Sequence, residues 1–72
     1  MDKDRELGKL VGRNLHRLII TSSYKTQVAF AAAFGVDVRT VGRWVRTGVY
    51  DLCTVAQLAR FFKVDVCTLL SE

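Results

Sequence analysis

The sequence has no proline, one histidine, one tryptophan and only two cysteines among its 72 residues. Two cysteines build no disulfide framework, and two cysteines with one histidine fall one ligand short of a closed tetrahedral zinc site. No metal or other cofactor is therefore expected. Long apolar runs are missing too. The longest, residues 28–36, is about half of the roughly 20 residues a membrane span needs. Residues 1–6 mix Asp2, Asp4 and Glu6 with Lys3 and Arg5, unlike the basic and then apolar start of a secretory signal. A cytoplasmic protein with reduced Cys53 and Cys67, read as small buried hydrophobes, is the simplest expectation. No repeat marks a solenoid or a coiled coil.

What remains is a short, apolar and basic chain. Half of it is hydrophobic, the mean hydropathy is +0.18, and the formal charge is +4. That length allows one domain, residues 1–72, with a thin core. The charge is unevenly spread. Residues 1–8 sum to −1 and residues 47–72 to −1. Between them, Lys9, Arg13, Arg17, Lys25, Arg39, Arg43 and Arg46 stand against Asp37 alone, a sum of +6. A concentrated basic segment fits a polyanion partner, and it also fits an ordinary solvated surface.

The periodicity is helical throughout. Leu7, Leu10, Val11, Leu15, Leu18 and Ile19 recur at three- and four-residue spacing, which predicts one amphipathic helix. Thr21-Ser22-Ser23 interrupts it. Thr26 is placed to cap a second helix through Val28, Phe30, Ala31 and Phe34, ended by Gly35. Asp37 is placed to cap a third, ended by Gly48. A fourth is predicted over residues 55–62, capped by Asp51 or by Thr54 with Gln57. Asp65 would cap a short fifth turn through Val66, Leu69 and Leu70. No alternating run is long enough for a strand, so the expected class is all-α.

The third helix carries the most information. With Val38 at zero and about 100° per residue, Trp44, Val41 and Val45 fall near 240°, 300° and 340°. Arg46, Arg39, Arg43, Thr47 and Thr40 fall between about 80° and 200°, on the opposite side. Gly42 also lies on the outward side. Such a face suits the major groove, because arginine can donate two hydrogen bonds to guanine O6 and N7 and threonine can meet phosphate or a thymine methyl.

The run from Thr26 to Trp44 resembles the helix-turn-helix of the Cro/repressor-like (XRE-type) regulators, carried by Gln27, Ala31, Gly35, Val41 and Trp44. The segments at residues 12–18 and 58–70 resemble that family's first helix and its closing helices. The resemblance implies a compact five-helix lambda-repressor-like DNA-binding domain. It implies that Val38, Arg39 and Arg43 face base edges, and that Lys25, Gln27, Thr40, Arg46 and Thr47 meet the DNA backbone. Arg13 and Arg17 would reach a flanking phosphate or stay solvated. The expected protein is a bacterial or phage transcriptional repressor, a homodimer on a palindromic operator, with Cys67, Leu69 and Leu70 as dimer contacts. An enzyme is not expected, since His16 has no catalytic companions. The alternative is a protein-interaction module such as an antitoxin on the same fold, docking through Val49, Tyr50, Leu52 and the C-terminal leucines.

Four departures from the family pattern stand out. Ile19 and Val45 occupy positions where the family often has a core ion pair, so an apolar contact is expected instead. Lys63 stands where a glycine usually ends the fourth helix, Val38 is apolar, and the loop from Thr21 to Lys25 is about one residue longer.

Overall fold

The computed structural model describes residues 2–71 and places five helices in chain order: α1 (Asp2–Thr21), α2 (Gln27–Phe34), α3 (Val38–Thr47), α4 (Leu52–Phe62) and α5 (Val66–Leu69). No strand occurs among the described residues. The chain folds into a body of 33 × 23 × 19 Å.

The helix ends follow local chemistry. The Thr26 hydroxyl accepts the Ala29 N–H at 3.1 Å, and the Asp37 carboxylate accepts the Arg39 N–H at 2.8 Å. Each satisfies one of the donors a helix start leaves unpaired. Gly35, at φ 93°, ends α2 in the left-handed region; its N–H and that of Val36 both donate to Ala31 O. The fourth helix begins earlier than expected, at Leu52, because Asp51 rather than Thr54 is the cap. Its carboxylate takes both the Thr54 N–H and the Thr54 hydroxyl. Asp65 precedes α5 without a side-chain capping bond. Lys63 adopts the left-handed conformation (φ 57°) that glycine would take more readily. Lys25 does so as well (φ 64°), which closes the long α1–α2 loop.

The core is drawn from every helix. Val11, Leu15 and Ile19, at four-residue intervals, line the inner side of α1 and meet Phe30, Ala31, Val41, Val55, Leu58, Ala59 and Leu69. Trp44, Val45, Phe34, Phe61 and Phe62 pack against this cluster half-buried, so they are the core's margin rather than its centre. Ile19 belongs to this cluster, and Val45 packs against the cluster half-buried. Leu7 lies on the same side of α1 as Val11, Leu15 and Ile19 but is 44% exposed.

Both cysteines are exposed, which corrects the expectation that they are buried. The inward positions of α4 are taken by Val55, Leu58 and Ala59, and that of α5 by Leu69. Cys53 and Cys67 are left facing solvent.

Among the described residues, one polar side chain is buried. Asn14 donates both amide hydrogens from Nδ2, to Leu69 O at 2.7 Å and to Ser71 O at 2.8 Å. It fastens the carboxyl-terminal turn to α1. Replacing Asn14 with alanine leaves a buried carbonyl without a donor, which costs about 1–3 kcal/mol. A thermal melt is expected to show Tm lowered by about 5–15 °C. An unchanged melt would mean that the tether carries no stability.

A candidate nucleic-acid interface on α3

The position of α3 is set from behind by α1. Gly8 and Gly12 lie one turn apart on α1, at the crossing with the carboxyl end of α3. A Cβ on Gly12 would overlap the Trp44 carbonyl oxygen, and one on Gly8 would overlap the Tyr50 ring. The two helices therefore meet backbone to backbone. The Val49 N–H donates to Gly8 O at 3.0 Å across this seam. Tyr50 closes it, its hydroxyl donating to Thr47 O at 2.8 Å. Gly48 (φ 113°) makes the turn between α3 and Tyr50.

From the inner side, Val41 is fully buried and Trp44 packs edge-on against Phe34 at 6.0 Å. With these anchors fixed, Val38, Arg39, Arg43, Arg46 and Thr47 all lie exposed, while Thr40 is half-buried. The structure thus brings together most of the α3 residues expected to touch a ligand. Gln27, at the first turn of α2, lies over the same surface. Its Oε1 comes within 3.5 Å of where a Gly42 side chain would begin. Lys25 is exposed two residues earlier, and Arg13 and Arg17 are exposed one turn apart on α1.

The electrostatics of the face are simple. Arg39 pairs with Asp37 at 3.5 Å, and its side chain remains 90% exposed. Exposed pairs of this kind contribute little, so Arg39 can leave Asp37 for a better partner. The Asp37 carboxyl is held below its ordinary range, first by the Arg39 backbone N–H and then by the Arg39 guanidinium. Arg43 and Arg46 have no ion-pair partner among the described residues. The Thr47 hydroxyl donates back to Arg43 O at 2.7 Å, which leaves its lone pairs for an outside donor and spends its proton within the helix. A surface with several guanidinium groups, little acid and a rigid backing is suited to a polyanion.

A second feature lies beside this seam, along the first half of α1. Leu7, Val11, Tyr50, Leu52, Val66 and Leu70 surround an open apolar hollow of about 400 Å³. Leu52 is 77% exposed and Tyr50 56%. Of the three expected dimer contacts, Leu70 lines this hollow and Cys67 is exposed. Leu69 is fully buried and is unavailable to a partner. The four-residue α5 points Leu69 inward, so its neighbour Leu70 takes the outer position.

Sequence reasoning missed the Tyr50 latch and the seam beneath it, although two glycines four residues apart on α1 are a legible sign of close helix approach. No group of metal-ligating side chains occurs among the described residues, and no helix is long and apolar enough to cross a membrane. Compared with known proteins, the chain matches no family model, no curated protein and no solved structure.

Proposed function

We propose that this chain is a sequence-specific DNA-binding transcriptional regulator of bacterial or phage type, with α2 and α3 acting as a helix-turn-helix. The observation that carries the reading is the two-sidedness of α3. Val41 and Trp44 fix it to the core while Arg39, Arg43 and Arg46 stand outward, and Gln27 of α2 lies beside them. Arg39, Arg43 and Val38 would enter the major groove and read base edges. Gln27, Lys25, Thr40 and Arg46 would hold phosphates, and Thr47 would join them by turning its hydroxyl proton from Arg43 O to a phosphate; such contacts position the protein without reading sequence.

The mode of action proposed is occlusion of a promoter by a homodimer in the cytoplasm, without catalysis. A two-fold dimer puts its reading helices about 34 Å apart, one turn of the duplex. The body measures 33 Å along its longest axis, so two copies in direct contact can span that distance without a linker. The apolar hollow with the projecting Leu52 and with Leu70 in its lining supports a contact between copies.

The same hollow supports a second reading, a module that docks a protein partner as antitoxins do. Salt separates the two. Binding to DNA weakens steeply as salt rises, in proportion to the phosphates neutralised, whereas an apolar protein contact hardly responds.

The test is selection of bound duplexes from a random pool. A consensus is expected, with paired half-sites about one helical turn apart. Recovery of unrelated duplexes with no consensus would overturn the reading.

A further inference from the structure

Four of the five glycines have a reason within the fold. Gly35 and Gly48 take positive φ, and Gly8, Gly12 and Gly48 have neighbours where a Cβ would stand. Gly42 has neither reason. It sits in the middle of α3, where its φ is not positive and where glycine is the poorest helix former after proline. Outside its own helix, the nearest atom to a Cβ there is Gln27 Oε1 at 3.5 Å, an ordinary van der Waals contact. The protein alone would be better served by alanine.

The reason must then lie outside the chain. Gly42 follows Val38 by one turn, precedes Arg46 by one turn and lies three residues after Arg39, so it sits within the ligand-facing surface. A bare backbone at such a point is what close approach of a ligand requires. We infer that Gly42 is where the DNA duplex comes closest to α3, and that the missing side chain lets Val38, Arg39 and Arg43 reach the bases. This inference rests on the DNA-binding reading proposed above. A methyl group at Gly42 would hold the duplex off the base-reading side chains. Long, flexible arginines and Lys25 would still reach phosphates.

Gly42→Ala separates fold from function, because the two effects have opposite signs. Tm is expected to rise by about 3–6 °C. Affinity for the duplex selected by the wild-type protein is expected to fall by about tenfold or more, while affinity for a scrambled duplex of equal length stays within about twofold. Equal binding of the selected duplex by Gly42→Ala and wild type would overturn the inference and leave the DNA-binding reading intact. A lower Tm would also overturn it, by showing that the fold itself needs Gly42. If the wild-type protein selects no consensus duplex at all, the DNA-binding reading falls first and the inference falls with it.

Discussion

Replacing Arg43 with alanine is expected to weaken binding to the selected duplex by about ten- to a hundredfold, since a bidentate arginine–guanine pair is worth about 1–3 kcal/mol of discrimination. The loss should be concentrated at one base position, where the consensus becomes permissive. Arg43 is suited to this role by its setting. It lies between Val41, fully buried, and Trp44, packed edge-on against Phe34, so the backbone that carries it is held on both sides. Its own side chain is exposed and has no ion-pair partner among the described residues. The bond from Thr47 uses only the Arg43 backbone carbonyl and survives the substitution. Stability should therefore stay within about 0.5 kcal/mol of wild type. Arg46→Ala provides the contrast. Without a guanidinium to hold phosphate at that position, affinity should fall for all sequences alike, and the salt dependence should become shallower by about one ion. Identical, sequence-independent losses in both variants would place Arg43 on the backbone instead of the bases.

The largest effect on the fold is expected at Gly12. Elsewhere in α1 an exchange of glycine for alanine would favour the helix by about 1 kcal/mol. At Gly12 the added carbon meets the Trp44 carbonyl oxygen and crowds Gly48. Both obstacles are backbone, so no rotamer change relieves the overlap. Forcing apart a packed crossing costs about 1–3 kcal/mol and sometimes more, and a small domain has only about 5 kcal/mol to lose. Tm of Gly12→Ala should fall by about 10–20 °C, and α3 should lose its fixed place on α1. Gly8→Ala should be milder, since the obstacle there is the Tyr50 ring, which can swing outward. A melt of Gly12→Ala within about 2 °C of wild type would refute the backbone-to-backbone seam.

The parts of this fold that are legible in the sequence are those decided within about four residues. Thr26 and Asp37 cap as their hydroxyl and carboxylate predict, and Gly35 turns left-handed where α2 must stop. The stripe Val11, Leu15, Ile19 is buried because helical spacing alone puts it on one side. The outward set Arg39, Arg43, Arg46 follows from the same arithmetic, which is why the candidate site is readable from residue spacing.

What is not legible depends on how helices cross. Asn14 reads as an ordinary polar helix residue until the carbonyls of Leu69 and Ser71, more than 50 residues away, arrive to use its amide. The choice of Leu69 over Leu70 for the core rests on the angle at which a four-residue helix meets α1. Cys53 and Cys67 are apolar enough to be buried, but the inward positions are already filled. Tyr50 reads as a loop residue, and its latch exists only because Gly8 and Gly48 make room for the ring. The pairing of Arg39 with Asp37 is local, yet it is hidden because the same carboxylate also caps α3.

The central claim is that the outward face of α3 lies in the major groove, and guanine N7 is the atom that reports it. Methylation of N7 by dimethyl sulfate, on the selected duplex with and without protein, measures this at each guanine. Protection of guanine N7 within each half-site is expected with the wild-type protein, and its loss at one guanine per half-site with Arg43→Ala. Unprotected guanines, with adenine N3 of the minor groove shielded instead, would contradict the account.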